Sequence, residues 1–211
     1  MTIQLSYSKF TLPLVKARFG LSIQEEMSLF ANVPPVTISH YLEETIAEFA
    51  PLALAINTEK ARSEWLIAPI MAEVRRRLQH QISLFSGVEF DVDAGQGLTG
   101  VCDYIISRSP AQYYLASPVI MIIEAKKENI IAGLGQCIAT MIGAHVFNAR
   151  EGANIPTIYG AVTTGNQWKF LKLEGQIAYI DVDDYYLVAI DKIVAILSTM
   201  ALPEAMALAV P

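Results

Sequence analysis

The sequence predicts an α/β fold, and three observations carry the prediction. Apolar residues recur at three- and four-residue spacing in some segments and as short runs or two-residue alternation in others. Helical patterns fill the first third of the chain, and strands then alternate with helices. The length of 211 residues suits one compact unit, so residues 1-57 are read as a helical N-terminal extension and residues 58-211 as the α/β domain.

The elements follow in order. Segments 12-20, 23-31 and 39-55 have helical spacing, with Pro34 and Pro35 breaking the chain before Thr37 or Ser39 caps the third. A stronger helix is expected over 58-80, because Ile67, Met71, Val74 and Leu78 form one stripe, and Pro69 is expected to kink it. Strands follow at 83-93 and 98-108, then a buried strand at 119-126 and a helix over 129-150. Strands at 155-162, 168-173 and 177-181 and a helix over 184-199 complete the plan, with Thr164, Gly165 and Asn166 as a turn.

Composition narrows the function classes. Fifteen Lys plus Arg against 21 Asp plus Glu give a formal charge of −6, so contact with nucleic acid must be local. Charged residues make up 17% of the chain where about 25% is ordinary, which excludes disorder and suggests that a partner, a second copy of the chain, covers apolar surface. Two cysteines, Cys102 and Cys137, make neither a disulfide framework nor a four-cysteine zinc site and suit the cytoplasm. The stretch 130-147 is long and uncharged enough to span a membrane, but Gln136 sits near its middle, and a soluble core helix is expected. Gly95, Gly97 and Gly100 have dinucleotide-loop spacing, yet a strand follows them, so they read as a hairpin turn with no small-molecule cofactor.

The chemistry gathers around the strand that ends in Glu124-Ala125-Lys126. Strand alternation puts Glu124 and Lys126 on one face, and Asp103 interrupts the preceding apolar strand, so adjacent strands would bring the two carboxylates together. Two carboxylates in contact repel unless a cation neutralises them, and hard oxygens favour Mg²⁺ or Mn²⁺. Glu64 lies seven residues before Met71, about 20° away around a regular helix, which places it on the buried stripe, with a pair to Arg62 or Lys60 near the helix start as the equal rival reading. Lys60, Arg62, Arg75, Arg76, Arg77, Lys126, Lys127 and Lys169 are candidate phosphate contacts, with a solvated helix end as the rival reading of the arginine triplet.

Glu64, Asp103 and Glu124-Ala125-Lys126 together resemble the PD-(D/E)XK nuclease superfamily, over roughly residues 58-175. GLGQCIATM puts Gln136 on the helix after the core strand, where many members carry glutamine, and 157-173 resembles the strand, turn and Trp-containing strand of type I restriction motor-subunit nuclease domains. Cys102 stands where the family commonly has proline, and no helicase, methyltransferase or DNA-reading domain fits in 211 residues. The resemblance implies a restriction-endonuclease-like mixed central sheet flanked by helices. It also implies Mg²⁺-dependent hydrolysis of DNA, with Glu64, Asp103, Glu124 and the Ala125 carbonyl holding the metal, Lys126 acting on the attacking water and Gln136 in support. The alternative is a catalytically idle domain of the same fold that serves binding or oligomeric assembly.

Overall fold

The computed structural model describes residues 5–202 and shows one mixed α/β sheet of eight strands covered by helices on both faces. A 3₁₀ turn (Tyr7–Lys9) leads into α1 (Leu12–Phe19), β1 (Ser22–Gln24) and α2 (His40–Ile56). Next comes one continuous helix made of α3 (Glu59–Arg62), a π turn (Ser63–Ile67) and α4 (Ala68–Arg77). The strands β2 (Ser83–Glu89), β3 (Val101–Ser107) and β4 (Val119–Ala125) follow. The helix α5 (Ile130–Arg150) then leads to β5 (Thr157–Thr163), β6 (Gln167–Glu174), β7 (Ile177–Ile180) and β8 (Tyr185–Tyr186), and α6 (Ile190–Ala201) ends the described chain.

The sheet order is β1-β7-β6-β5-β4-β3-β2, with β8 pairing β6. Only β4·β5 and β1·β7 are parallel. A parallel neighbour needs a long crossover, and α5 supplies it between β4 and β5. Every residue of β4 is buried, because helices cover both faces of this central strand. On one face α4 and α6 pack Ile70, Met71, Ile196 and Met200 over Ile123 and Phe170. On the other, α5 and α1 pack Ile138, Leu134 and Val15 over Ile122 and Leu171.

α5 has the length and apolarity to cross a membrane, but 61% of its apolar window is buried inside this fold. It is the crossover helix of the sheet. Its approach to the N-terminal segment is close: a Cβ at Gly135 would lie 2.3 Å from the Thr11 carbonyl carbon and 2.5 Å from the Phe10 oxygen.

Two expectations need correction. Residues 23-31 form no helix, because Ser22, Ile23 and Gln24 pair with Ile177, Ala178 and Tyr179 at the sheet edge. The N-terminal region therefore contributes a strand as well as helices, and Tyr7 and Phe10 lie in the core. The closing helix starts at Ile190, after β8 and a 3₁₀ turn (Leu187–Ala189) have taken the preceding residues. The irregularity expected from Pro69 falls on the turn before it: Ala68 N–H donates to the Ser63 carbonyl across five residues, in the turn just ahead of a residue that has no N–H to give. The glycine-rich turn behaves as expected, with Asp93 bridging Leu98 and Phe90 N–H donating to the Gly100 carbonyl.

Candidate active site

The site is built where β3 and β4 part. Their ladder begins with Tyr104 opposite Ile123 and Ile105 opposite Ile122, so Asp103 and Glu124 fall next to each other at its open end. There the Asp103 carboxylate accepts the Ala125 N–H at 2.8 Å. Lys126 N–H donates to the Thr163 carbonyl of β5, so alternation turns the Ala125 backbone the other way, and its carbonyl faces β3 and Asp103.

Glu124 is wholly buried. Gln136 Nε2 donates to its Oε2 at 2.6 Å, Thr140 Oγ1 approaches its Oε1 at 3.5 Å, and Lys126 Nζ is 3.8 Å from Oε2. Gln136 and Thr140 lie four residues apart on α5, so one helix face delivers both. Burial pushes the Glu124 carboxyl well above the usual carboxylate range, and repulsion from Asp103 adds to the rise against the pull of Lys126. Burial also pushes the Cys102 thiol up, with Glu124 and Asp103 adding to it.

Lys126 is held from behind. Its methylene carbons lie 3.1 Å from where a Gly133 Cβ would be, and Val162 Cγ1 would be only 2.6 Å away. Only a residue without a side chain lets α5 press on the stem of this lysine while its ammonium stays beside Glu124.

A cavity of about 340 Å³ opens beside this cluster, lined by Asp103, Tyr104 and Ala125 on one side and Glu59, Lys60 and Glu64 on the other. Of the two readings of Glu64, the pair with Lys60 holds and the buried stripe does not. Its side chain is 52% exposed and pairs with Lys60 at 2.9 Å. The reason is the π turn: it is wider than an α turn, so residues before it rotate off the stripe that Ile67, Ile70, Met71 and Val74 keep. Glu64 reaches the rim of the cavity and not the buried carboxylates.

The residue missed from sequence is Glu59, which lines the same cavity and accepts the Lys127 N–H. Burial raises its carboxyl, Lys126 opposes the rise and Asp103 adds to it. Its place just after the Thr58 cap made it look like an ordinary helix-start acid. Thr140 was visible on the Gln136 face by helical spacing alone.

Most of the proposed phosphate contacts are engaged by the protein itself. Arg75 donates to the Ile82 carbonyl, Arg76 pairs with buried Glu73, and Arg77 donates to the Thr37 carbonyl. Arg62 holds Asn57 and the Thr164 carbonyl, while Lys169 holds the carbonyls of Asp181 and Asp183. Arg76 and Arg77 thus tie the segment before α2 to α4, and Arg75 ties α4 to the loop that follows it.

Among the described residues, no three His, Cys, Asp or Glu side chains are grouped to hold a metal ion. The donor chemistry fits a hard divalent cation at two carboxylates, Asp103 and Glu124, with the Ala125 carbonyl on the same edge. The third expected acid, Glu64, faces Lys60 instead. No protein-family model, curated protein or solved structure matches the chain.

Proposed function

We propose that this protein is a divalent-metal-dependent phosphodiesterase acting on nucleic acid, DNA in the first instance, on a restriction-endonuclease-like sheet. The observation that carries this reading is the meeting of Asp103 and Glu124 at one strand end, with Lys126 3.8 Å from Glu124 and a cavity beside them. A buried carboxylate next to another carboxylate is costly, and a site that binds Mg²⁺ or Mn²⁺ gives that cost a use.

Asp103, Glu124 and the Ala125 carbonyl would hold the cation. When bound, it would neutralise the acid pair and stabilise charge growing on a phosphodiester oxygen. Lys126 would donate an N–H to the attacking water and hold it in place. Gln136 and Thr140 orient Glu124, and Asp103 fixes the splayed strand end through the Ala125 N–H.

The test pairs Mn²⁺ titration by calorimetry with cleavage of supercoiled and single-stranded DNA in Mg²⁺. Binding and cleavage are expected in the native protein, and Asp103→Asn is expected to weaken the metal by at least about tenfold, the scale of one lost ligand interaction. Cleavage that persists unchanged in Asp103→Ala and Lys126→Ala would sink the reading. A second reading, an idle domain used for assembly, is favoured by Glu64 facing Lys60; a metal-free isotherm from a protein that still forms a defined oligomer would support it.

A further inference from the structure

The cations around the cavity are few. Of the eight basic residues that sequence offers as phosphate contacts, Arg62, Arg75, Arg76, Arg77 and Lys169 are committed to carbonyls or carboxylates of the protein. The remaining three, Lys60, Lys126 and Lys127, surround the site: Lys60 on its lip, Lys126 beside Glu124 and Lys127 just beyond. Lys60 and Lys127 are exposed and hold only the exposed acids Glu64 and Glu128, pairs weak enough for a phosphate to displace.

The surroundings oppose an extended polyanion. The chain carries a net charge of −6, Glu59 and Glu64 line the cavity with Lys60, and Glu128 pairs with Lys127. The cavity, about 340 Å³, is at the small end of the range for sites that enclose a ligand and has room for a nucleotide or two. A duplex-tracking protein needs a basic stripe to neutralise many phosphates, and the arginines that could have made one are committed within the protein, Arg75 to the Ile82 carbonyl, Arg76 to Glu73 and Arg77 to the Thr37 carbonyl.

Resting on the phosphodiesterase reading, we propose that the site takes the end, or a short single-stranded stretch, of a nucleic acid, contacts about three phosphates and does not follow a long duplex. The substrate enters over Lys60, its scissile phosphate lies against the Asp103–Glu124 edge, and the next phosphate meets Lys127. Selectivity then comes from access: a single strand bends into the cavity, whereas a duplex keeps its phosphates outside.

The experiment uses the full chain with Ca²⁺ in place of Mg²⁺ to hold back turnover. Fluorescence anisotropy follows a labelled tetranucleotide, a single strand of about 20 nucleotides in DNA and RNA forms, and a duplex of about 20 base pairs, across a range of salt. The expected slope of log K against log salt is between about −2 and −3 for every ligand, with the tetranucleotide within about threefold of the longer single strands. Lys60→Gln should make the slope shallower by about 0.7 to 0.9, Lys60→Arg should restore it, and Arg77→Gln should leave it unchanged. A duplex slope steeper than about −5, or a duplex bound more than about 100-fold tighter than the tetranucleotide, overturns this inference and leaves the phosphodiesterase reading standing. Failure of all the nucleic acids to bind overturns both.

Discussion

Glu124 and Asp181 are both buried carboxylates at the ends of strands, yet they live in opposite company. Asp181, 1% exposed, accepts N–H groups from Leu29 and Asp183 and the Tyr185 hydroxyl. Its partners are donors, and they fasten the segment after β1 to the turn after β7. Glu124, 0% exposed, has Gln136 and Thr140 as neutral partners, one lysine, and a second carboxylate. Burial raises both carboxyls, but hydrogen bonds oppose the rise at Asp181, while at Glu124 a like charge reinforces it. A fold that needed only rigidity would choose the first arrangement. The second sets two carboxyls against each other, so that in the metal-free protein Glu124 holds on to a proton that a bound cation could replace.

Four substitutions sharpen or break that contrast. Asp181→Ala should have the largest effect on stability, since it strands two N–H groups and a hydroxyl; a loss of about 3 kcal/mol, or roughly 5 to 10 °C in Tm, is expected with metal binding intact. Calorimetric melting checks it, and a variant that melts normally but loses Mn²⁺ would reverse the roles assigned to the two acids. Gly133→Ala should cost about 2 kcal/mol by overpacking against Val162 and should also dislodge Lys126, so cleavage falls by more than stability predicts. Full activity at normal Tm would show that Lys126 does not depend on its packing.

Glu124→Gln tests the sign of the electrostatics in the metal-free protein. Because the folded-state carboxyl is raised, the folded protein keeps a proton that the unfolded chain releases. The associated stability is complete below the ordinary carboxylate range and is lost as pH rises, by about 1.4 kcal/mol per unit until the folded value is passed. Asp103, Lys126, Cys102 and Tyr7 are the titratable groups around it. Denaturant unfolding across about pH 5 to 8 should therefore show the native protein falling relative to Glu124→Gln. Parallel curves would mean that Glu124 is relieved by something other than a proton. The smallest effect belongs to Lys60→Gln, whose exposed pair with Glu64 should leave Tm unchanged.

The edge that carries Asp103 and Glu124 was the most legible part of the chain. A run of apolar residues ending in Glu124-Ala125-Lys126, and Asp103 inside an apolar strand, place two acids at neighbouring strand ends once the strands are antiparallel, and β3 and β4 are. For Glu64 the sequence left two readings, the buried stripe and a pair with Lys60 or Arg62, and helix arithmetic could not choose between them because it assumes uniform turns, and a π turn leaves no periodic signature in Ser-Glu-Trp-Leu-Ile. Ile23, Met27 and Phe30 have helical spacing, but β7, distant in sequence, claims Ser22 to Gln24, and Asp181 and Lys192 hold the backbone that follows. The fate of Arg75, Arg76 and Arg77 could not be read either, since beside Glu73 and His80 they meet Thr37, Ser39, Tyr41 and Ile82, which helical spacing does not bring near.

The pairing of β1 with β7 also sets the order of events during synthesis. Ser22 meets Ile177, so the first strand among the described residues has no sheet neighbour until the seventh has been translated. At about 5 to 20 residues per second that wait lasts on the order of 10 to 30 seconds. Through this interval Ser22 to Gln24 lack their strand partner, and the sheet's far margin closes only once β7 has been made.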